Sequence, residues 1–169
     1  MRHVKFLALA VLLVTGLTTN ISSSTAATAS DEFDPPSRVL TVVERAISDT
    51  VVDTGAAGDS LGDILAFGNP IFNAANANEI GRDQGYCVRT NVGMSWECNW
   101  TVILDRGSLV VEGPFYDDLR DSQFAITGGT GAFRNVRGEM TLHARDVAGA
   151  EFDFIYHFTR YDSQGFDTR

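Results

Sequence analysis

Positive charge is scarce in this chain: 13 Lys and Arg stand against 22 Asp and Glu. So acidic a surface repels phosphate backbones and anionic lipid, which argues against nucleic acid and membrane surfaces as partners. Cysteine is scarcer still. Cys87 and Cys98 are the only two, with no histidine beside them, and such a pair does not make a zinc site. No acidic loop has calcium-binding spacing. No serine sits in a Gly-x-Ser-x-Gly context, and no glycine-rich stretch ends in the Lys-Ser/Thr of a phosphate loop. There is no internal repeat and no long amphipathic helix. Nucleophilic hydrolysis, nucleotide hydrolysis and metal catalysis therefore lack their usual residues.

Only one apolar run is long, and it lies at the start. Arg2 and Lys5 flank it, Phe6 to Leu17 forms it, and Ala27-Thr28-Ala29 supplies a small-x-small cleavage pattern. Residues 1–29 read as a secretory signal peptide, with an uncleaved anchor as the alternative. The run is short for a transmembrane span, so no membrane contact is expected after cleavage, and the protein is expected to be secreted or extracytoplasmic. The first 29 residues hold two basic residues and no acid. The remaining 140 residues thus carry 11 basic against 22 acidic groups, a formal charge of −11. That length makes one domain with a real core. Residues 30–38, with Pro35 and Pro36, read as a flexible arm, 39–161 as the domain and 162–169 as a tail.

What is abundant is the signature of strands. Val39 to Ile47 is β-rich, Asp53 to Gly62 is a turn region, Ile64 to Phe67 a strand, and Gly68-Asn69-Pro70 a kink. Ile71 to Ile80 reads as loop or a single helical turn. Gln84 to Asn91 and Ser95 to Leu104 form a hairpin about Val92-Gly93. Ser108 to Glu112 follows, closed by Gly113-Pro114, then Gln123 to Thr127, and a last hairpin of Val136 to Ala144 with Glu151 to Arg160. Many short strands with regular turn signals mean a sandwich or a barrel.

Register can be read from these hairpins. The middle one sets Cys87 opposite Cys98, within bridging reach. An exported chain favours the disulfide, worth roughly 2–3 kcal/mol in the chain-entropy account; a pair of free buried thiols is the alternative. Arg89 falls opposite Trp96, and Trp96 and Trp100 share the face of Cys98. They are either core or the aromatic wall of a pocket. In the last hairpin Phe152, Phe154, Tyr156 and Phe158 share one face, with Met140, Leu142 and Ala144 opposite. The other face pairs Glu139 with His157 and His143 with Asp153, a charge ladder that accounts for both histidines.

The run Ile126-Thr127-Gly128-Gly129-Thr130-Gly131-Ala132-Phe133-Arg134-Asn135-Val136-Arg137-Gly138 is similar to a glycine motif of the allene oxide cyclase barrel and dirigent-like superfamily. Asn78 to Gly85 resembles the dirigent Gly-Arg-x-Gln-Gly stretch, and Phe67-Gly68-Asn69-Pro70 its Phe-Asp-x-Pro turn. Together they span about residues 39 to 160. The resemblance implies an all-β fold, a single eight-stranded antiparallel β-barrel of lipocalin-like shape, assembled as a homo-oligomer, dimer or trimer. It implies a cofactor-free cyclase, an isomerase of the allene oxide cyclase, dirigent or [4+2] Diels–Alderase kind, that folds an apolar polyene or polyketide-like precursor in natural-product biosynthesis. Glu44 falls where plant cyclases place a strand-one carboxylate, with Ala46 where an asparagine is expected and Gly68 in place of the turn aspartate. Those departures weigh against allene oxide and lignan chemistry.

Glu44, Tyr86, Tyr116 and Tyr156 are the candidate catalytic groups, able to polarise a carbonyl or stabilise developing charge. Phe67, Arg89, Trp96, Trp100, Met140, Leu142, Phe152, Phe154 and Phe158 are the candidate substrate contacts. The alternative is a non-catalytic exported carrier for an apolar metabolite, since barrels of this size hold one small ligand.

Overall fold

The computed structural model describes residues 39–159, most of them in strands and tight turns. The expected signal peptide, the arm and the tail lie outside them. Ten strands follow in chain order: β1 Val39–Arg45, β2 Thr50–Val52, β3 Ile64–Phe67, β4 Pro70–Asn73, β5 Glu79–Asn91, β6 Ser95–Leu104, β7 Gly107–Tyr116, β8 Ser122–Gly129, β9 Arg137–Ala144 and β10 Glu151–Thr159. Among the described residues a single 3-10 turn, Gly131–Phe133, sits between β8 and β9.

Pairing turns ten strands into eight lanes. β1 and β2 lie end to end in one lane, and β3 and β4 share the next: β1 pairs with β4, β2 with β3, and both β3 and β4 with the long β5. From β5 the chain meanders through β6, β7, β8, β9 and β10, each antiparallel to the last, and β10 returns to β1. The result is a closed, eight-stranded antiparallel barrel, as the family resemblance implies. Closure removes the sheet edges that an open meander would leave.

The expected registers hold. Cys87 faces Cys98 and Arg89 faces Trp96. Leu142 faces Phe154, Met140 faces Tyr156, Glu139 faces His157 and His143 faces Asp153. Alternation then sorts the wall, because successive side chains point to opposite faces. Inward positions such as Val42, Val102, Leu109, Val111, Phe124, Ile126, Met140, Phe154 and Tyr156 are buried and form one apolar core.

Several boundaries differ from the sequence reading. The first strand stops at Arg45 rather than Ile47, and β2 lies just ahead of the turn region that starts at Asp53. β5 begins at Glu79, inside the segment read as loop, so its lane spans the whole barrel. β7 does not end at Gly113-Pro114 but runs on to Tyr116. The reason is which neighbour Pro114 would have to serve. The Tyr116 N–H points to Ser122 on the β8 side, and Pro114 has the same parity. The β7–β8 ladder ends at Glu112, so no ladder bond is asked of the residue that cannot donate one.

Candidate functional site

Both split lanes break at the same level, and Asn69 fills the break. It is 1% exposed. Its side-chain oxygen accepts from the backbone N–H of Ile47 (3.0 Å) and Ser48 (2.9 Å) and from Ser48 Oγ (3.0 Å). Its side-chain nitrogen donates to Glu44 Oε1 and Asp49 Oδ1, each at 2.8 Å. Its backbone N–H donates to Asp83 Oδ1 at 2.8 Å, and its carbonyl accepts from the Asp83 N–H at 2.9 Å. One amide thus replaces the ladder bonds the kink removes and gathers three carboxyls from β1, β5 and the β1–β2 connection. Pro70 follows as the first residue of β4, where its fixed φ suits a strand start.

Two of the three carboxyls are buried: Glu44 is 5% exposed and Asp83 1%. Burial is the chief reason both hold protons more tightly than free carboxyls. Each also feels the other. Glu44 is raised furthest, by burial and then by the Asp83 charge and hydrogen bond, while the bond from Glu44 partly lowers Asp83. Two carboxylates cannot hydrogen-bond without a proton between them. The two therefore share a proton, and Asp83 Oδ2 has no other partner among the described residues. Below them lies Tyr156, fully buried, its hydroxyl without a partner among the described residues. Burial and then the nearby Asp83 and Glu44 charges push its ionisation well above the ordinary tyrosine range, so it stays a neutral phenol.

Above the pair is a cavity of about 50 Å³. Glu44 and Asp49 form its polar side. The rest is apolar: Phe67, Trp100, Phe115, Phe152 and Phe154 supply rings, and Leu65, Leu142 and the disulfide fill between them. Trp100 anchors the cluster, with ring centroids 4.4 Å from Phe124, 5.5 Å from Phe154 and 5.9 Å from Phe67. Its indole N–H is buried and has no partner among the described residues. Cys87 and Cys98 are joined, with S–S 2.00 Å, and their sulfurs lie in the cavity wall. A disulfide fits an extracytoplasmic setting.

The expected substrate contacts divide accordingly. Phe67, Trp100, Leu142, Phe152 and Phe154 line the cavity. Met140 is packed in the core, and Phe158 lies toward the other end of the barrel, its ring stacked with Phe133 and Tyr156. Arg89 and Trp96 form a separate clamp nearer the rim. The guanidinium lies 3.8 Å over the indole, donates to both oxygens of Asp117 at 2.7 and 2.8 Å, and pairs with Asp59 at 2.6 Å. Trp96 Nε1 also donates to Asp117, at 3.1 Å. Among the candidate catalytic groups, only Glu44 lines the cavity, with Tyr156 beneath it. Tyr86 stands on the outer wall, 52% exposed, because Gly85 and Cys87 on either side face inward. Tyr116 ends β7 on the outer face with Arg120 stacked 3.9 Å over its ring. His143 stays half exposed on the outer ladder, bonded to Asp121 at 2.7 Å. Sequence reasoning misses Asn69, Asp83, Asp49, Leu65 and Phe115 as site residues, although Asn69 and Asp83 both lie within the stretches that carry the family resemblance.

The profile of the family described as Dirigent-like protein matches residues 28–161. Among solved structures, pyocyanin demethylase is similar at 27% identity and TM-score 0.64, over 72% of this chain and 99% of its own. A pterocarpan synthase dirigent protein is similar at 20% identity and TM-score 0.59, over 73% of this chain and 96% of its own. The Diels–Alderase from Streptomyces koyangensis is similar at 15% identity and TM-score 0.56, over 83% and 75%. The last two are likenesses of fold.

Proposed function

The chain belongs to the dirigent-like protein family, and on that premise we propose that it is an enzyme, a cofactor-independent cyclase that folds an apolar, conjugated precursor against the rings of its cavity. The observation that carries the reading is the position of Glu44: a carboxyl that burial makes hold its proton more tightly than usual, on the wall of an aromatic cavity. A cyclase must hold a flexible chain in one reactive conformer, and a ring-lined cavity does so without competing polar contacts. It must also draw electron density toward one atom of the substrate. A neutral acid kept from water by burial can donate that hydrogen bond where an exposed carboxylate could not.

At about 50 Å³ the cavity is well short of the roughly 150 Å³ that accommodates a benzene molecule. It admits only the leading edge of a substrate, and the loops at its rim must give way for the rest.

The test is turnover with purified protein on a panel of conjugated polyenes and polycyclic aromatics, pyocyanin included, followed by mass spectrometry and chromatography. A cyclase yields a product of unchanged formula and shifted retention. Glu44→Gln keeps the shape but cannot donate its proton, and is expected to lower that rate at least about 100-fold. Ligand returned unchanged in every case would replace this reading with that of a carrier. A second reading, demethylation, is favoured by the 27% likeness that spans nearly all of pyocyanin demethylase; its sign is a product lighter by one methylene.

A further inference from the structure

The two ends of the barrel treat their large apolar side chains in opposite ways. At the end that carries the 3-10 turn, Phe133 and Val136 are turned inward and buried. At the other end lie the connections 46–49, 53–63, 92–94 and 145–150, and there such side chains are turned out. Val147 is 98% exposed, Ile47 76% and Leu61 70%, and Val51, Val92 and Met94 are exposed as well. The acids of these connections do not mask them, because folding the loops consumes their oxygens. Asp53 accepts from Gly58 N–H at 3.0 Å and Asp59 from Gly93 N–H at 2.8 Å. Asp63 accepts from Thr54 and Ser60, and Asp146 from N–H groups of its own turn. The fifth connection at this end, 117–121, is the reverse: Leu119 packs against the core while Asp118, Arg120 and Asp121 stand exposed. The open end is thus an aliphatic crown with one polar sector, and exposed apolar surface gathered in one place marks an interaction site.

We propose that this crown docks the open end of the barrel on the surface of a zwitterionic lipid layer. Charge selects the occupant. A second copy seated mouth to mouth would bring two strongly acidic molecules together, and anionic lipid is repelled in the same way. The one cation of the four aliphatic connections, Arg145, is paired with Glu151 and Asp153, so nothing there draws an anionic headgroup. The acidity that argues against anionic lipid does not bear on an uncharged surface. A zwitterionic headgroup carries its ammonium outermost, where the carboxylates of Asp118 and Asp121 meet it, while the aliphatic side chains reach the acyl boundary. Docking of this kind sets the open end against the layer in which apolar molecules dissolve, and a ligand passes into the barrel without crossing water. It serves a cyclase and a carrier equally.

Flotation of the full chain with vesicles tests the docking. Binding to phosphatidylcholine vesicles is expected, insensitive to salt, and at least about threefold weaker when roughly a third of the lipid is phosphatidylglycerol. Leu61→Ser combined with Val147→Ser should weaken it about 30-fold and leave the urea midpoint in place, since both side chains are exposed. A polarity-sensitive fluorophore on Val147→Cys should brighten on phosphatidylcholine, and the same label on Asp105→Cys, exposed at the opposite end, should not. Failure to float overturns the proposal, as does a preference for phosphatidylglycerol or equal brightening at both positions. Binding that the double variant leaves unchanged also overturns it, and assigns the affinity to the apolar run at residues 6–17. So does a dimer that Leu61→Ser splits, because a second copy then covers the crown. Formation of an isomeric product in the turnover assay decides the cyclase reading separately, whatever the vesicles show.

Discussion

At the end of the barrel near the 3-10 turn the chain is sealed by backbone and rings, whereas at the other end the rim is tied by carboxylates. The first end is tight. Thr130 N–H donates to the Ser108 carbonyl at 2.9 Å and Ala132 N–H to the Arg106 carbonyl at 2.7 Å. Phe133 stacks on Phe158, and Phe158 on Tyr156. The second end uses side chains. Asp63 accepts from Thr54 N–H, Ser60 N–H and Ser60 Oγ within 2.7–3.0 Å. Asp146 accepts from the N–H groups of Ala148, Ala150 and Glu151. Asp59 accepts from Gly93 N–H at 2.8 Å, and Arg89 joins it to Asp117. Backbone seals resist opening; ion pairs and turn carboxylates at a wet rim can exchange with water. The contrast places the rigid floor under the site and the yielding rim above it.

The sharpest way to break the comparison is at the sealed end. Gly138 has φ +147°, and a Cβ there would collide with the His157 carbonyl. Gly138→Val is expected to cost about 3 kcal/mol or more, or to prevent folding, read as the loss of a cooperative urea transition. A rim glycine gives the control. Gly58 has φ +93° but nothing near its missing Cβ, so Gly58→Ala should cost about 1 kcal/mol. Next in size is the disulfide of the cavity wall. Replacing Cys87 and Cys98 together by Ala should cost roughly 2–3 kcal/mol, with the midpoint of denaturation as the measure. Arg89→Met should cost about 2 kcal/mol, because it leaves Asp117 and Asp59, each about a third exposed, without their cation. Hydrogen exchange should then quicken in residues 53–63, 92–94 and 117–121 and stay unchanged in 130–138. Uniform quickening would show that the two ends are one cooperative unit.

The smallest effect is on pH dependence. Glu44 and Asp83 bind their protons more tightly in the folded barrel than in the unfolded chain. Their contribution to stability is complete below the ordinary carboxylate value of 4.5 for Glu44, and is lost as pH rises through the raised folded value. Glu44→Gln should flatten that decline. Asp63 and Asp146 are shifted the other way by the N–H groups they accept from. What they contribute is present above 3.8 and is lost as pH falls through the lowered value. Urea midpoints from about pH 3 to pH 8 separate the two slopes.

The sealed end was legible in the sequence and the site mostly was not. The glycine run and the alternation from Met140 to Phe158 are local signals, and they set strand positions, facing and register. The Cys87–Cys98 pairing likewise fixed β5 against β6, and with that parity Tyr86 has to face outward. The site depends on something less local. Asn69 satisfies groups 20 to 25 residues away through its side chain, and no periodicity marks such a residue. The two-lane break that creates its role appears only once β1 and β4 are known to be neighbours. Asp83 is hidden for a related reason: it stands in an inward position of a strand read as beginning at Gln84, and an acid there looks like a turn residue.

Among the described residues, β2 pairs only with β3, and its three residues are all exposed. The lane of β1 and β2 is thus held from both sides along β1 and from one side only along β2. Lengthening β2 and β3 together by an even number of residues would raise the wall beside Glu44 and preserve which faces point inward, while the registers of β6 through β10 stay as they are. The chamber can be enlarged at that corner alone, which makes this lane the natural place for relatives, or an engineer, to fit the same floor to a larger molecule.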